Sequence, residues 1–272
     1  MMQPNESPAN DSSLPQGWPR NRPTAKIIAS TGLMGLFTVS ALVGAGLAAA
    51  SGQPGPAILF VLAAVYLGHF VGLGISLSRR PAQVRPLRVL GRTDLGDPGL
   101  EIPYAHGPYY WSISVTLLSA LTLAGITVIF ALSGSAGALV VAVISAIFSF
   151  VLGWIGVVFL RLAPGRLVLT PDGIYHRSLT FEHYVPWFAI YAVSAEAGAT
   201  PMLAIKAHPF DGTRLHGYTG RLGAFEATFF PFIVARTYWL GGHAAYAYQI
   251  ADHYFRHPDL RSELATSPPT FG

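Results

Sequence analysis

The chain of 272 residues contains no cysteine. Disulfide bonds, cysteine nucleophiles and cysteine-ligated metal sites are therefore excluded, and the redox compartment cannot be inferred from cysteine usage. The sequence also has no G-x-S-x-G, H-E-x-x-H or P-loop motif, and no paired carboxylates lie in its apolar stretches. Because these catalytic signatures are missing, we expect a protein that is not an enzyme and that has no cofactor.

Charge is also scarce, since Asp, Glu, Lys and Arg make up 11 % of the chain, against about 25 % in soluble domains. The shortage is concentrated in residues 27–78 and 107–160, neither of which contains a charged residue. A bilayer core needs about 20 apolar helical residues, so each window is long enough for two crossings. Turn-forming Gly, Pro and Ser at 51–56 and 133–137 divide the windows. We predict a transmembrane region at 26–160 with helices at about 27–50, 57–78, 110–132 and 138–160.

Lysine and arginine flank these predicted helices on one side only. They precede the first helix, fill the connection at 79–106 and follow the fourth helix, whereas both hairpin turns are uncharged. Because positive residues near span ends stay in the cytoplasm, we predict a multi-pass protein of the plasma membrane with both termini cytoplasmic. The first span is too long, and its leader too polar, for a signal peptide. The net charge of +4 reflects the same bias, so we do not expect nucleic-acid binding.

The arginines of the 79–106 connection are candidate contacts for anionic lipid headgroups, to which each basic residue near the surface adds on the order of 1 kcal/mol. They are Arg79, Arg80, Arg85, Arg88 and Arg92. The alternative is that these arginines only set the orientation of the helices and bind no partner.

Small and polar residues within the spans are further candidates. Gly68 and Gly72 form a G-x-x-x-G pattern, which lets two helices approach closely, and we predict that they serve helix packing. His69 is the lone histidine of the predicted spans. Without a charged neighbour it lacks the partner of a proton relay, so we expect it to bond a backbone carbonyl or a hydroxyl group.

The composition changes at residue 161, after which acidic and basic residues are nearly balanced. Alternating apolar residues at 167–170, a Pro-Asp-Gly turn at 171–173 and strand-like segments up to residue 207 predict a small antiparallel sandwich or barrel. Helical spacing at 242–263 predicts a closing amphipathic helix that Pro258 interrupts. The number of strands in 208–240 stays open. Within it, the apolar and aromatic residues 221–240 are too short and too charge-flanked for a fifth span, and we expect a strand or a buried helix there.

The strands followed by a C-terminal helix resemble the bacterial pleckstrin-homology-like (PH-like) domain, as found in actinobacterial membrane proteins. The similar segments are LVLTPDGI at 167–174 with the polar strand at 175–179, VPWFAI at 185–190, and YFRHPDLRSEL at 254–264. The resemblance covers roughly residues 161–264. It implies a cytoplasmic binding domain, usually for proteins and sometimes for lipids, with no active-site residues to carry over.

Two sets of side chains in this domain are candidate sites. We expect Trp187 to pack in the core of the sandwich or at its rim. The alternative is that Trp187 and Tyr191 belong to a groove for a peptide or an acyl chain, because exposed aromatic residues make good anchors. His253 and His257 stand four residues apart and could meet a metal on one helix face. No third ligand has fitting spacing, so we expect no metal site.

The sequence therefore predicts a membrane α-helical region followed by an α+β PH-like domain, flanked by disordered tails at 1–25 and 265–272. We expect an accessory or scaffold subunit of a membrane complex, whose partners are membrane lipids and other membrane or cytoplasmic proteins. An anionic-lipid sensor and a small transporter component are the alternatives.

Overall fold

The computed structural model describes residues 24–78, 89–198, 200–220 and 229–266, together with Leu14 and Trp18. Four long helices are the largest elements, and each of them is long and apolar enough to cross a membrane. They are α1 (Ala25–Ala50), α2 (Pro54–Ser78), α3 (His106–Leu132) and α4 (Ala136–Leu162). The four predicted membrane helices are confirmed as helices, and their predicted ends lie within a few residues of the observed ones.

Tight turns close the two helical hairpins. Gly52 has a φ of 72° and Gly134 a φ of 71°, a left-handed conformation that glycine adopts without strain. The hydroxyl group of Ser135 then caps α4 by accepting a hydrogen bond from the amide of Ala138. Because α2 ends and α3 begins beside the β-sheets, both turns lie at the opposite end of the helices.

The helices pack in the order α1 on α2, α2 on α3 and α3 on α4. A Cβ atom on Gly72 would lie 2.5 Å from the Trp111 ring of α3, and one on Gly68 would lie 3.8 Å from Thr38 of α1. Any larger residue at position 72 must therefore displace this ring or separate α2 from α3. The two glycines of the G-x-x-x-G pattern thus face different neighbours, one on each side of α2.

Within the described ranges, nine strands, all paired antiparallel, form two sheets. The six-stranded sheet has the order β1-β2-β3-β4-β5-β8, and the three-stranded sheet has the order β6-β7-β9. The strands are β1 (Val89–Arg92), β2 (Pro98–Pro103), β3 (Arg166–Leu169), β4 (Gly173–Arg177), β5 (Phe181–Pro186), β6 (Ile190–Glu196), β7 (Met202–Ala207), β8 (Arg214–Gly217) and β9 (Ile233–Arg236). Helix α5 (Thr237–Leu240) and helix α6 (Ala244–Arg256) follow them, and a 3₁₀ helix at Pro258–Ala265 ends the described chain. We call the sheets, α5 and α6 together the module.

The connection between α2 and α3, which the sequence predicts as a loop, contributes β1 and β2 to the larger sheet. Leu100 and Ile102 of β2 are 0 % and 1 % exposed, so this strand is part of the core. A Cβ atom on Gly99 would lie 2.4 Å from the carbonyl oxygen of Leu169, so only glycine permits this approach. The module is therefore discontinuous in sequence and does not begin at residue 161.

Both sheets and α6 share one apolar core. Leu167 and Ile174 come from the larger sheet, Leu203 and Ile205 from the smaller one, and Ile250 from α6, and all five side chains are fully buried. Helix α6 packs on β6 and β7, while the 3₁₀ helix after it reaches β2. This agrees with the predicted closing helix and with its interruption at Pro258. An antiparallel-sheet region with a C-terminal helix is thus confirmed.

The module sits directly on the start of α3. The amide of Ala105 donates to the carbonyl of Trp239 at 2.7 Å, and the amide of Tyr104 donates to the carbonyl of Gly165 at 3.0 Å. The rings of Tyr109 and Trp239 lie 4.6 Å apart between centroids, and Tyr109 is a member of the module core. Helix α3 therefore enters the module without an intervening flexible linker.

The N-terminal segment differs in one respect from the predicted disordered tail. Trp18 is 7 % exposed and belongs to the module core, and Leu14 packs against the same cluster. Thr24 caps α1 by accepting a hydrogen bond from the amide of Ile27. The other positions before residue 24, and the last six residues of the predicted C-terminal tail, lie outside the described residues.

Candidate functional site

Four exposed rings lie close together on the surface of the module. Phe188, Tyr191 and Phe210 are 69 %, 45 % and 49 % exposed, and His208 is exposed beside them. Phe188 and Phe210 meet edge to face at 4.5 Å between centroids, and Tyr191 and His208 pack at the same distance. We call these four residues the aromatic patch.

Local structure holds the patch in place. The ring of Trp187 is 3 % exposed, its Nε1–H donates to the carbonyl of Thr170 at 2.8 Å, and the guanidinium group of Arg261 lies 4.6 Å above it. Trp187 thereby anchors the short 3₁₀ helix Trp187–Ala189, and the next side chain, Phe188, points outward. The amide of His208 donates to the carbonyl of Ala189 at 2.9 Å, which fixes the second half of the patch against the first.

The patch lies at the end of the sheet that is remote from α4. Arg177, at one end of β4, donates from Nε to the carbonyl of Leu162, the last residue of α4. Gly173, at the other end of β4, pairs with Pro186, which directly precedes the 3₁₀ helix. Four residues of strand, or ~13 Å, therefore separate the patch from the helix end.

The structure agrees with the expected core position of Trp187 and corrects the alternative, a groove lined by Trp187 and Tyr191. Trp187 is a core residue, because its ring is buried and its N–H group is bonded within the module, whereas Tyr191 is exposed. Sequence reasoning missed Phe188 and Phe210. The signal for Phe210 was available, since a large aromatic residue stands immediately before the Asp211-Gly212 turn, where burial is not expected.

The predicted headgroup contacts fall mostly outside the described residues, which begin again at Val89. Arg92 is exposed on β1, an edge strand of the larger sheet. It lies opposite Pro98 of β2 in the register. The structure therefore bears on Arg92 alone among the five arginines.

The histidines singled out by the sequence have local partners. Nδ1 of His69 lies 2.7 Å from the carbonyl oxygen of Val65, and because a carbonyl only accepts, Nδ1 carries the proton of that bond. The rings of His253 and His257 lie 4.5 Å apart. Among the described residues, no group of three or more His, Cys, Asp or Glu side chains is placed to hold a metal ion.

An ionic cluster fastens the β1–β2 turn to the sheet. The carboxylate of Asp94 accepts hydrogen bonds from Arg166 at 2.8 Å and from Arg177 at 3.0 Å, and from the hydroxyl group of Tyr175. Partial burial raises the pKa of Asp94, but the bond from Tyr175 and the charges of Arg177 and Arg166 outweigh it, so its pKa lies below the ordinary value. The cluster keeps Asp94 ionised and ties residues before α3 to strands that follow α4.

Two buried histidines lie side by side on neighbouring strands of the six-stranded sheet. His176 of β4 and His183 of β5 are direct cross-strand partners, and each has a buried ring nitrogen with no hydrogen-bond partner among the described residues. Burial, reinforced by the neighbouring His183, lowers the pKa of His176 to about 3, and burial lowers that of His183 to about 4. Both imidazoles are therefore neutral in the folded module.

No protein-family model, curated protein or solved structure matches the chain.

The buried histidine pair predicts a stability that depends on pH. An unfolded chain takes up protons on histidine below about pH 6.5, whereas the folded module does not until about pH 4. Stability is thus complete above pH 6.5 and is lost as the pH falls, by about 1.4 kcal/mol per pH unit for each histidine. Melting of the purified protein, followed by near-ultraviolet circular dichroism between pH 4.5 and 7.5, measures this slope.

The variant His176→Phe should reduce the dependence of stability on pH by about half. The double variant His176→Phe with His183→Phe should remove most of this dependence. The control is Phe181→Leu, a buried neighbour of His176 that does not titrate. This change should lower the melting temperature at every pH and keep the slope. A double variant with an unchanged slope would contradict the assignment.

Proposed function

We propose that the chain is a non-enzymatic membrane protein whose PH-like module is a docking platform for another protein, as an accessory or scaffold subunit of a membrane complex. The observation that carries the proposal is the aromatic patch. Exposed clusters of large apolar side chains are characteristic of interaction sites, and aromatic residues dominate the binding energy of protein interfaces. Two antiparallel sheets closed by a C-terminal helix support the PH-like assignment.

The composition of the membrane helices supports an anchoring role. Residues 27–78 and 107–160 contain no charged side chain, and the one histidine of α2 is bonded to the carbonyl of its own helix. Ion-coupled transporters generally place ionisable groups within their spans. An anchor needs only length and apolar surface, which these helices provide.

The chemistry of the patch favours a protein over a lipid headgroup. None of its four side chains is Lys or Arg, and the salt bridge nearest in sequence, between Lys206 and Glu196, is neutral overall. Anionic headgroups attract clusters of Lys and Arg. A protein surface with its own apolar anchor fits the patch better. The short 3₁₀ helix, strand β6 and the bond from His208 to Ala189 hold the backbone beneath the rings, so these rings lose little conformational freedom on binding.

The flanking charges favour a cytoplasmic module. Lys26 and Arg161 lie at the helix ends nearest the sheets, whereas the hairpin turns carry no charge. By the rule that positive flanks stay inside, the module and both chain ends face the cytoplasm, and the turns face outward. A partner of the module is then a cytoplasmic protein or the cytoplasmic part of a membrane protein.

Removing the patch should abolish partner binding without unfolding the module. In the variant Phe188→Ala with Phe210→Ala, two exposed rings are lost, which should change stability by little more than about 0.5 kcal/mol each. Partner recovery after crosslinking in native membranes, quantified by mass spectrometry, should fall by about 10-fold or more, because loss of a hot-spot ring costs about 2 kcal/mol.

Leu95→Ala is the matched control, because Leu95 is 66 % exposed on the same module but belongs to the β1–β2 turn. It should recover the wild-type set of proteins. Equal recovery of partner proteins by the wild-type chain, the double variant and the Leu95→Ala control would argue against the docking function. So would a wild-type chain that repeatedly purifies alone as a monomer.

Sidedness can be tested with single cysteines, because the natural chain has none. Ser51→Cys and Ser133→Cys place a thiol in the two hairpin turns, and Ser262→Cys places one on the exposed surface after α6. A membrane-impermeant maleimide should label the two turns in intact cells, and Ser262→Cys only after lysis. Labelling of Ser262→Cys from outside would reverse the orientation.

A further inference from the structure

Helices α1 and α2 form a groove that lies wholly among the described residues. Its volume is about 540 Å³, which is within the range of small-molecule binding sites. Thr31 and Met34 line one wall, and Tyr66, Phe70 and Leu77 line the other. These five residues are half-buried, so the groove is a recess in the surface of the helix pair. We call it the α1–α2 groove.

The length of the groove matches one leaflet of a bilayer. Leu77 lies next to the end of α2 beside the module, and Tyr66 is the middle residue of the same helix. The rise of the helix between these two residues is ~16 Å, which is about half of a bilayer core of about 30 Å. The groove therefore extends from the membrane surface on the side of the module to about the midplane.

The inner half of the groove suits a hydrocarbon chain. The hydroxyl group of Ser119 on α3 donates to the carbonyl of Val115. The hydroxyl group of Tyr66, which lies 3.0 Å from that of Ser119, is therefore the donor of the bond between them. The ring of Tyr66 packs edge to face on Phe70 with 5.1 Å between centroids, and Met34 lines this part of the groove from α1. With the phenol already bonded, these side chains present apolar surface.

A hydroxyl group without a bond lies nearer to the membrane surface. The other four threonines of the membrane helices donate to the carbonyl four residues earlier in the same helix; they are Thr38, Thr116, Thr122 and Thr127. For Thr31 that carbonyl belongs to Ile27, which accepts from the hydroxyl group of Ser30 instead, at 3.1 Å. The hydroxyl group of Thr31 thus has no hydrogen-bond partner among the described residues, although it lines the groove. It can donate to an oxygen atom of a ligand.

A cation lies at the outer end of the groove. Lys26 is exposed, and it is a helix neighbour of Ser30, which also lines the groove. Within the described part of the chain no carboxylate pairs with Lys26. Along α1 it lies ~7 Å closer to the membrane surface than Thr31, a distance similar to the thickness of one headgroup layer, about 5 to 8 Å. A lipid whose ester group lies at Thr31 therefore has its phosphate near the level of Lys26.

The surroundings of the helices identify the occupant of the groove. Helices α1 and α2 are long and apolar enough to cross a membrane, so the medium beside them is lipid. A tail in the groove has partner atoms on several sides, and these dispersion contacts are lost when it leaves. Because lipid tails are as apolar as the helices, the hydrophobic effect does not favour one lipid over another. The polar contacts at Thr31 and Lys26 therefore decide which lipid is held.

We propose that the α1–α2 groove binds one phospholipid from the leaflet on the side of the module. Its acyl tail lies between Met34 and Phe70, an ester carbonyl accepts a hydrogen bond from the hydroxyl group of Thr31, and its phosphate lies beside Lys26. This lipid site is separate from the aromatic patch and does not depend on the docking function proposed for the module.

The test counts the lipids bound to the full-length protein in detergent by native mass spectrometry, in which each bound lipid adds its own mass. In a titration with dioleoyl phosphatidylglycerol, the first lipid should bind at least about 10-fold more tightly than the second, a difference of about 1.4 kcal/mol. Dioleoylglycerol, which has the same tails but no phosphate, should bind at least about 5-fold more weakly. A first lipid that binds no more tightly than the second, or equal affinities for the two compounds, would overturn the proposal.

The variant Met34→Trp places a large ring in the groove and should remove the tight binding of the first lipid. Leu36→Trp is the matched control, because it adds the same ring at a position of α1 that is 61 % exposed and does not line the groove. It should bind phosphatidylglycerol as the wild-type chain does, with melting of both variants recorded by circular dichroism to confirm folding. Tight binding that survives in folded Met34→Trp, or that is lost equally in both variants, would be evidence against the site.

Two smaller changes test the polar contacts and do not depend on the folding of Met34→Trp. Thr31→Val keeps the shape of the side chain but lacks the hydroxyl group, so both lipids should bind about 3-fold more weakly. Lys26→Gln should weaken phosphatidylglycerol by about 5-fold and leave dioleoylglycerol unchanged.

Thr116→Val is the control for Thr31→Val, because the hydroxyl group of Thr116 is already bonded within its own helix, and it should keep the wild-type affinities. The assigned contacts would be wrong if Thr31→Val and Thr116→Val had the same effect, or if Lys26→Gln weakened both lipids equally. Because no partner protein enters these assays, their results do not bear on the role of the aromatic patch.

Discussion

The antiparallel ladder between β2 and β3 is the constraint on which the rest of the structure depends. Leu100 lies opposite Leu169 and Ile102 opposite Leu167, and all four side chains are buried in the core. Strand β2 leads into α3, and β3 follows α4, so the ladder closes the base of the second helical hairpin. The module is therefore not free to move relative to the helices. Its aromatic patch keeps a fixed position relative to the helix ends.

Two different physical effects hold this junction. Burial of apolar side chains from β2 stabilises the ladder without directional preference, while Asp94 adds charge-assisted hydrogen bonds that fix the orientation of the β1–β2 turn. The rings of Tyr109 and Trp239 then join α3 to the module. These contacts hold the module in a fixed orientation relative to the helices.

Sequence reasoning found the features that depend on composition over long windows and missed those that depend on contacts between distant residues. The membrane helices follow from charge-free stretches, and α6 from its periodicity and from Pro258. Strand β2 was missed because Pro98, Gly99 and Pro103 are residue types that usually indicate a loop. In the structure Gly99 is needed within the strand, because a Cβ atom there would collide with the carbonyl oxygen of Leu169. Trp18 was missed because its surroundings are polar and proline-rich, and a single apolar residue has no period. The aromatic patch could be recognised only from the folded structure, because the adjacent residues Trp187 and Phe188 differ in exposure. Trp187 is buried and Phe188 is exposed.

Hydrogen exchange of β2 tests the central claim most directly. This strand lies between β1 and β3, so the amides of Leu100, Glu101 and Ile102 should exchange as slowly as those of β4 in the intact protein in nanodiscs. Leu95 and Gly96, in the exposed turn, should exchange far faster within the same peptide map. Exchange of residues 99–102 at the rate of an unstructured chain would contradict the account, because the module would then be joined to the helices by a loop.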